Sequence, residues 1–238
     1  MKTPAPELHP ELNLPHHRLI LVGGCLLAIG AAAVNVAIFL RTGTSVSHLT
    51  GDIMRLSTDV VRLNEAVLAD ASRVGSAGVG FLLGAMSAGY FIHHPQLDLR
   101  RPYGRTITAI GCLLLLSQVF IATADWLSIG LAAFACGLQN SLASRYRGVI
   151  LRTTHLTGLM TDFGIAVGMK LKGHDVPLWK AGVPALISLS FFGGGVVATF
   201  VAIRWQFPLL SLVGAAYLIG GIAWSLLKKF GYLTAGNP

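Results

Sequence analysis

The chain of 238 residues is 53% hydrophobic and only 12% charged, and its mean hydropathy is +0.66. Such a chain has too little polar surface to cover a soluble globule, so an integral membrane protein is predicted and the lipid bilayer is its first expected partner. The formal net charge of +8 could indicate a nucleic-acid partner. However, the Lys and Arg residues lie in short segments between apolar stretches, which indicates orientation in a bilayer, and no nucleic-acid partner is expected.

Six uncharged apolar segments follow one another along the chain, each with the roughly 18 or more residues that a helix needs to cross a membrane. The first is longer than a signal-peptide core and lacks an obvious small-residue cleavage site, so it is expected to remain as a span. Residues 1–18 before it are expected to form a cytoplasmic tail. Small residues at four-residue spacing (Gly80, Gly84, Ala88) are expected to pack helices together. The predicted spans are 19–40, 74–92, 106–124, 127–144, 181–203 and 207–227.

The tetrapeptide His-Leu-Thr-Gly occurs twice, at 48–51 and 155–158, an offset of 107 residues. Chance alone supplies roughly one repeated tetrapeptide in a chain of this length and composition, so the flanking residues decide its meaning. The residues that flank the first copy match those that flank the second copy if two residues are inserted in the second copy. Each histidine follows a hydroxyl residue, an arginine lies upstream, and an amide interrupts the preceding apolar segment; the pairs are Ser47 and Thr154, Arg41 and Arg152, and Asn35 and Asn140. The pattern indicates a gene duplication.

The stretches 49–66 and 156–170, which begin with the motif, are too polar or too short to cross comfortably, so they are either short spans or re-entrant half-helices. The distribution of basic residues favours re-entrance. With a cytoplasmic N-terminus, re-entrance places thirteen Lys and Arg residues inside and only five outside, whereas crossing gives about ten against eight. The five outer residues are Arg41, Arg55, Arg62, Arg73 and Arg204.

Re-entrance gives each half three full crossings, so the second half is inverted relative to the first, as in many transporters and channels. The expected fold is an all-α integral membrane protein with six transmembrane helices and two short re-entrant or broken helices in two inverted-topology repeats. The repeats are 19–124 and 125–230, and 231–238 is a C-terminal tail. Both termini are expected in the cytoplasm of a bacterium, with the protein in its inner membrane. Because irregular backbone at membrane depth must be buried or line a wet cavity, the two motifs are expected to converge near the midplane.

The motif residues suit a polar path. Thr50 and Thr157 can cap helix N-termini, and Gly51 and Gly158 leave backbone amides open to a small polar or anionic solute. His48 and His155 titrate near neutral pH. The alternatives are that the threonines are plain caps and that the histidines lie at a loop surface.

Polar groups around the motif either line the same path or hold helices together. Asp52 and Asp162 are costly charges in a membrane interior, although Asp52 could simply complement its own helix N-terminus. For Gln139 a structural hydrogen bond is favoured. The full predicted path comprises Asn35, His48, Thr50, Gly51, Asp52, Gln139, Asn140, His155, Thr157, Gly158 and Asp162, with Arg41 and Arg152 as basic loop residues.

The segments Gly137-Leu-Gln-Asn140, Arg152-Thr-Thr-His-Leu-Thr-Gly158 and Ser47-His-Leu-Thr-Gly51 resemble the YoaK-like family of bacterial multi-pass membrane proteins. The resemblance covers nearly the whole chain and implies an integral membrane protein. The family is sometimes described as a predicted permease, and the resemblance implies no particular substrate. Family members commonly carry an aspartate in the first span and an asparagine after the first Thr-Gly. Here these positions hold Asn35 and Asp52, a swap that would preserve one carboxylate and one amide if the two faced each other.

The expected function is a transporter or channel for a small polar solute or ion bound between the two motif tips. Alternatives are a membrane scaffold or regulatory protein and, less favoured, an enzyme using the histidines and aspartates as acid–base groups. No nucleophile elbow or phosphate loop is present, and cysteines and tandem histidines lack metal-ligand spacing, so no enzyme, cofactor or metal is expected. A homodimer is possible. Exposed amide dipoles favour an anionic solute while Asp52 and Asp162 favour a proton or cation, so the sequence leaves the solute's charge open.

Overall fold

The computed structural model describes residues 17–62, 67–91, 103–142, 145–146, 149–150 and 152–230. These contain eight helices and one antiparallel hairpin of two-residue strands, β1 (Arg145–Tyr146) and β2 (Val149–Ile150). The described part is otherwise helical, as predicted. The helices are α1 (His17–Thr42), α2 (Leu49–Arg62), α3 (Val67–Phe91), α4 (Tyr103–Phe120), α5 (Asp125–Leu142), α6 (Leu156–Leu171), α7 (Trp179–Trp205) and α8 (Leu209–Lys229).

Five helices, α1, α3, α4, α7 and α8, are long and apolar enough to cross a membrane. The sixth predicted span forms α5, which is not among the five because Asp125, Gln139 and Asn140 lie near its ends. Ten of its 18 residues are buried, so neighbouring helices rather than lipid cover much of its surface. The predicted tail residues 1–16 and 231–238, together with 63–66, 92 and 143–144, lie outside the described residues, and residues 17–18 already belong to α1.

Close backbone contacts at glycines define the helix directions. A Cβ on Gly80 would meet the backbone of Gly130, and one on Gly84 would meet Phe134 and Leu138, so α3 and α5 run parallel and start at the same end. The ion pair from Arg73 to Asp125 confirms this, with 2.6 Å between Nη2 and Oδ2. Only glycine permits such approaches, because any side chain would overlap the partner's backbone.

Two other helix pairs are defined in the same way. Gly104 faces Gly221 and Gly111 faces Gly214, so α4 and α8 run antiparallel. Gly24 faces Ile187, and a Cβ on Gly194 would lie 2.7 Å from Cα of Ile29, so α1 and α7 run parallel. Buried side chains between α1, α4, α5 and α8 form the main core, with Ile38, Ile110, Leu114, Ile129 and Leu210 among the largest.

The ends of α1, α4 and α7 and the start of α8 lie together at one end of the bundle. They line an open crevice of about 490 Å³ that contains Arg41. Because α5 starts just after α4 ends, and α3 starts beside α5, α3 also begins at this end, called here the Arg41 end. Helix α2 therefore connects two helix ends on the same side of the bundle. By the same argument, α6 connects the end of α5 to the start of α7 at the opposite end.

Candidate functional site

The segment between α1 and α2 folds back into the bundle instead of remaining at the Arg41 end. Gly43, with a φ of 69°, reverses the chain in a conformation that glycine adopts without strain. The returning segment is held by the amide of Asn35, whose Oδ1 accepts the backbone N–H groups of Val46 and Ser47 at 3.2 Å. Its Nδ2 donates to Oγ of Ser47 and to the carbonyl of Ala31, each at 2.8 Å. All four hydrogen-bonding positions of this buried amide are thus occupied.

Asp52 binds the same returning segment from the α2 side. Its Oδ2 accepts hydrogen bonds from the backbone N–H and the hydroxyl of Ser45, both at 2.8 Å, and its Oδ1 lies 3.7 Å from Nη2 of Arg55. Arg55 also approaches Asp70 of α3, at 3.9 Å. Asn35 and Asp52 therefore hold neighbouring residues of one segment, and among the described residues no hydrogen bond joins them directly. What Asn35 and Asp52 share is therefore the backbone of this returning segment, not an open binding site.

The second motif is held by the corresponding asparagine and by its neighbour. Oδ1 of Asn140 accepts the backbone N–H of Thr154 at 3.4 Å. Gln139, only 2% exposed, donates to Oγ1 of Thr153 and to the carbonyl of Leu27, both at 2.9 Å. The hydroxyl of Tyr217 donates to Oε1 of Gln139 at 2.5 Å. This network joins α1, α5, α8 and the segment before α6, so Gln139 holds the bundle together.

The two halves use their asparagines in the same way. In each half, the asparagine Oδ1 accepts the backbone N–H of the residue just before the motif histidine, Ser47 in the first half and Thr154 in the second. These are the positions paired by the sequence repeat. The first half adds three further bonds from Asn35, whereas the second half adds those of Gln139.

His48 reaches the middle of the bundle. Its ring packs edge-on against Phe191, near the centre of α7, with 5.3 Å between the ring centroids. Its Nε2 is buried and has no hydrogen-bond partner among the described residues. Burial lowers the pKa of His48, the nearby charge of Asp52 opposes that change, and the proximity of His155 lowers the pKa further. Both Asp52 and the histidine of the second motif therefore act on the ring of His48.

His155 precedes α6 as its N-cap residue and makes no side-chain cap hydrogen bond. Its ring folds over Gly158, where a Cβ would overlap Nδ1 of the imidazole. Gly51 in the first motif has no such neighbour, because a Cβ added there would meet nothing within 4 Å. The second motif glycine therefore makes room for its histidine, whereas the first does not.

Four other predicted path residues lie at the surface of the described structure. Thr50 and Thr157 are the second residues of their helices, so the predicted capping role is wrong: each helix begins one residue earlier, at a leucine. Both threonines, Gly51 and Asp162 are exposed. Within the described ranges, no hydrogen bond or ion pair engages the side chains of Thr50, Thr157 or Asp162.

The two basic loop residues lie far from each other. Arg41 lines the crevice at its own end of the bundle with the amides of Gln118 and Gln206, while Arg152 is exposed at the end where α5 stops. Neither joins the histidine pair. The described residues contain no group of three His, Cys, Asp or Glu side chains placed to hold a metal ion.

Phe191, Tyr217 and Ser45 are functional or supporting residues that sequence reasoning missed. Tyr217 carries a hydroxyl within an apolar helix, and a buried hydroxyl usually finds a partner, so its position was a detectable signal. Phe191 and Ser45 carry no such signal, because an apolar ring in a span and a serine in a loop are ordinary.

Comparison with protein families matches residues 23–224 to the family described as protein of unknown function (DUF1275). No curated protein and no solved structure gives a significant match. The matched range includes both motifs, both asparagines and nearly all of the eight helices. The YoaK-like resemblance is consistent with this match, and the chain belongs to the DUF1275 family.

Proposed function

We propose that this protein transports or conducts a small polar solute or ion across the bacterial inner membrane, with its site at His48 and His155 between the tips of α2 and α6. The observation that carries the proposal is the Nε2 atom of His48, which is buried at mid-bundle and has no hydrogen-bond partner within the part of the chain that the structure describes. Polar groups are costly at membrane depth, so an unpartnered ionisable group there points to a functional role. A solute that hydrogen-bonds to the imidazole supplies the missing partner.

The helix packing supports two inverted repeats. The two halves correspond helix by helix, α1 to α5, α2 to α6, α3 to α7 and α4 to α8. When each helix is replaced by its counterpart, the contact of α3 with α5 becomes the contact of α7 with α1. The contact of α2 with α3 likewise becomes the contact of α6 with α7. The same exchange converts the contact of α4 with α5 into that of α8 with α1 and preserves that of α4 with α8. Since α2 returns to the Arg41 end and α6 to the opposite end, the proposed repeats are inverted, with α5 as the sixth span.

Loop charge supports the orientation. The Arg41 end carries Arg41, Arg55, Arg62, Arg73 and Arg204, the five residues assigned to the outside, and the other basic residues of the described ranges lie at the opposite end. In the proposed orientation, which the positive-inside rule favours, the opposite end and both termini are cytoplasmic. Helix α2 would enter from the outside and α6 from the inside.

An acid–base enzyme is less well supported. Asp52 is bound to Ser45 and Arg55, so its carboxylate is not free to assist His48 in proton transfer. Asp162 lies seven residues after His155, about two helical turns along α6, and is exposed. We therefore propose no catalytic activity.

Thiol labelling tests the path. In a variant lacking the native Cys25, Cys112 and Cys136, single cysteines replace Thr50 or Thr157, and membrane-impermeant thiol reagents are applied from each side of sealed vesicles. Labelling at Thr50 from the outside and at Thr157 from the inside is expected. Val197, which is 62% exposed on α7, provides the control because lipid should protect a cysteine there. Protection of both threonine positions from both sides would contradict a transport path and favour a scaffold.

A further inference from the structure

We infer that the crevice at the Arg41 end binds a phospholipid whose headgroup carries both a phosphate and a primary ammonium, as in phosphatidylethanolamine. The crevice contains neither motif histidine, so its occupancy is independent of the proposed transport path. Its volume of about 490 Å³ falls within the roughly 300–1,000 Å³ of small-molecule sites. The crevice combines polar side chains, unpaired carbonyls and an apolar wall, and each of these selects one part of the ligand.

Three polar side chains from different elements meet in the crevice. Arg41 comes from the last turn of α1, Gln118 from the last turn of α4, and Gln206 directly follows α7. Among the described residues, no ion pair or hydrogen bond engages any of these three side chains. A guanidinium can bind a phosphate through two parallel N–H groups, and the amide groups can donate to its other oxygens. Basic pockets between membrane helices bind lipid headgroups in this way.

The backbone beside Arg41 supplies acceptors for a cation. The N–H groups of Thr44 and Ser45, which would continue α1, donate instead to side-chain oxygens at 3.2 Å and 2.8 Å. The carbonyls of Leu40 and Arg41 therefore lose their helical partners, and no other described backbone group donates to them. They lie at the negative end of the helix dipole. A primary ammonium has three N–H donors for such carbonyls, whereas the quaternary ammonium of choline has none.

The apolar wall of the crevice fits the chains of a lipid. Leu40, Ile203 and Phe207 line the crevice, and each is at least half exposed. The crevice lies where spanning helices end, at the depth where headgroups meet the first methylene groups of the chains. Covering these side chains with methylene groups is favourable, so the intact lipid should bind more tightly than its free headgroup.

Lipid binding to the full-length protein in detergent tests the site. Native mass spectrometry measures binding of phosphatidylethanolamine, phosphatidylglycerol and phosphatidylcholine with identical acyl chains, and glycerophosphoethanolamine serves as the free headgroup. We expect one molecule of phosphatidylethanolamine to bind most tightly, because phosphatidylglycerol lacks the ammonium and phosphatidylcholine lacks its N–H donors. Arg41→Gln should weaken this binding about tenfold or more, since it removes a charged hydrogen-bonding partner. Arg62→Gln, at an exposed arginine of α2 outside the crevice, is the matched control and should retain full binding.

A second variant separates lipid binding from folding. Gln206 has a φ of 52°, in the left-handed region that glycine adopts without strain. Gln206→Gly should therefore leave the melting temperature without lipid unchanged or higher, while it weakens binding of phosphatidylethanolamine several-fold. A residue with only a structural role would not change these two quantities in opposite directions.

The other outcomes would overturn the inference. Equal binding of the three lipids, or full binding by Arg41→Gln, would show that the crevice does not select the headgroup. Tightest binding of phosphatidylglycerol would exclude the contact between ammonium and carbonyls. Binding of glycerophosphoethanolamine as tight as that of the lipid would indicate a water-soluble ligand instead.

Discussion

Replacing Asn35 by leucine should loosen the returning segment before the first motif without unfolding the bundle. Three of the four hydrogen bonds made by this amide reach that segment, two of them from the backbone N–H groups of Val46 and Ser47. Val46 is fully buried, so its N–H has no ready access to water in the variant. Leucine has a similar volume, which limits the effect to the lost bonds.

The magnitude follows from the number of bonds. A typical intramolecular hydrogen bond contributes about 1 kcal/mol net, and measured values between membrane helices average about 0.6 kcal/mol. Three lost bonds therefore weaken the segment by about 2–3 kcal/mol, which raises its opening equilibrium roughly 30- to 150-fold. Among the described residues, the equivalent change Asn140→Leu removes one bond of 3.4 Å, so its effect should be about 1 kcal/mol or less.

Hydrogen exchange followed by mass spectrometry in detergent measures both effects locally. Peptides covering 43–52 should exchange faster in Asn35→Leu, by the factor given above, while peptides covering 152–158 change less than about tenfold in Asn140→Leu. Asn35→Asp should be milder than the leucine variant, because a carboxylate still accepts both N–H groups and the hydroxyl of Ser47 can turn to donate. Equal acceleration in the two leucine variants, or a larger effect for Asn140, would refute the assignment of the returning segment to Asn35.

Three further changes test the site and its supports. Gly158→Ala should displace the adjacent imidazole and lower transport at least several-fold, while Gly51→Ala, with open space around it, should leave transport near normal; flux and histidine NMR would show this. Gly84→Ala places a methyl group against the backbone of α5 and should cost about 1–3 kcal/mol in thermal unfolding, whereas Gly78→Ala on the same helix, where nothing lies within 4 Å, should be neutral or stabilising. The pKa of His48 is lowered in the folded state, so the unfolded chain binds more protons at this ring. The contribution of His48 to the free energy of unfolding should therefore be fully present above pH 6.5 and decline as the pH falls towards the pKa of the folded state. His48→Gln should flatten that decline, and an unchanged slope of melting temperature against pH would contradict the burial of this ring.

The apolar pattern was sufficient to predict the long helices. All six predicted spans coincide with helices, because a helix satisfies its own backbone in lipid and needs only a sufficiently long apolar segment. The half-helix boundaries were also close, at Leu49–Arg62 against 49–66 and Leu156–Leu171 against 156–170. The paired strands β1 and β2 were not predicted, since two-residue strands leave no periodicity to detect.

The residues that hold the two motif segments were predictable for the asparagines but not for Asp52. Repetition singled out Asn35 and Asn140, and both hold the segments that precede the motifs. The role of Asp52 depends on the chain turning back so that Ser45 meets a residue seven positions later, a geometry that composition does not record. The bond between Gln139 and Tyr217 joins residues 78 positions apart, which only the folded packing brings together.

The close helix contacts have a mechanical consequence. Each tight glycine contact described above joins one helix from 19–124 to one from 125–230, through Gly80 and Gly84, Gly104 and Gly111, and Gly194. A carrier that works by swinging one half against the other would have to break all three backbone interfaces in every cycle. Helices α2 and α6 mainly contact a single helix each, and α2 buries no residue. Small tilts of these two elements would open the centre from either side while the six long helices stay fixed as a frame.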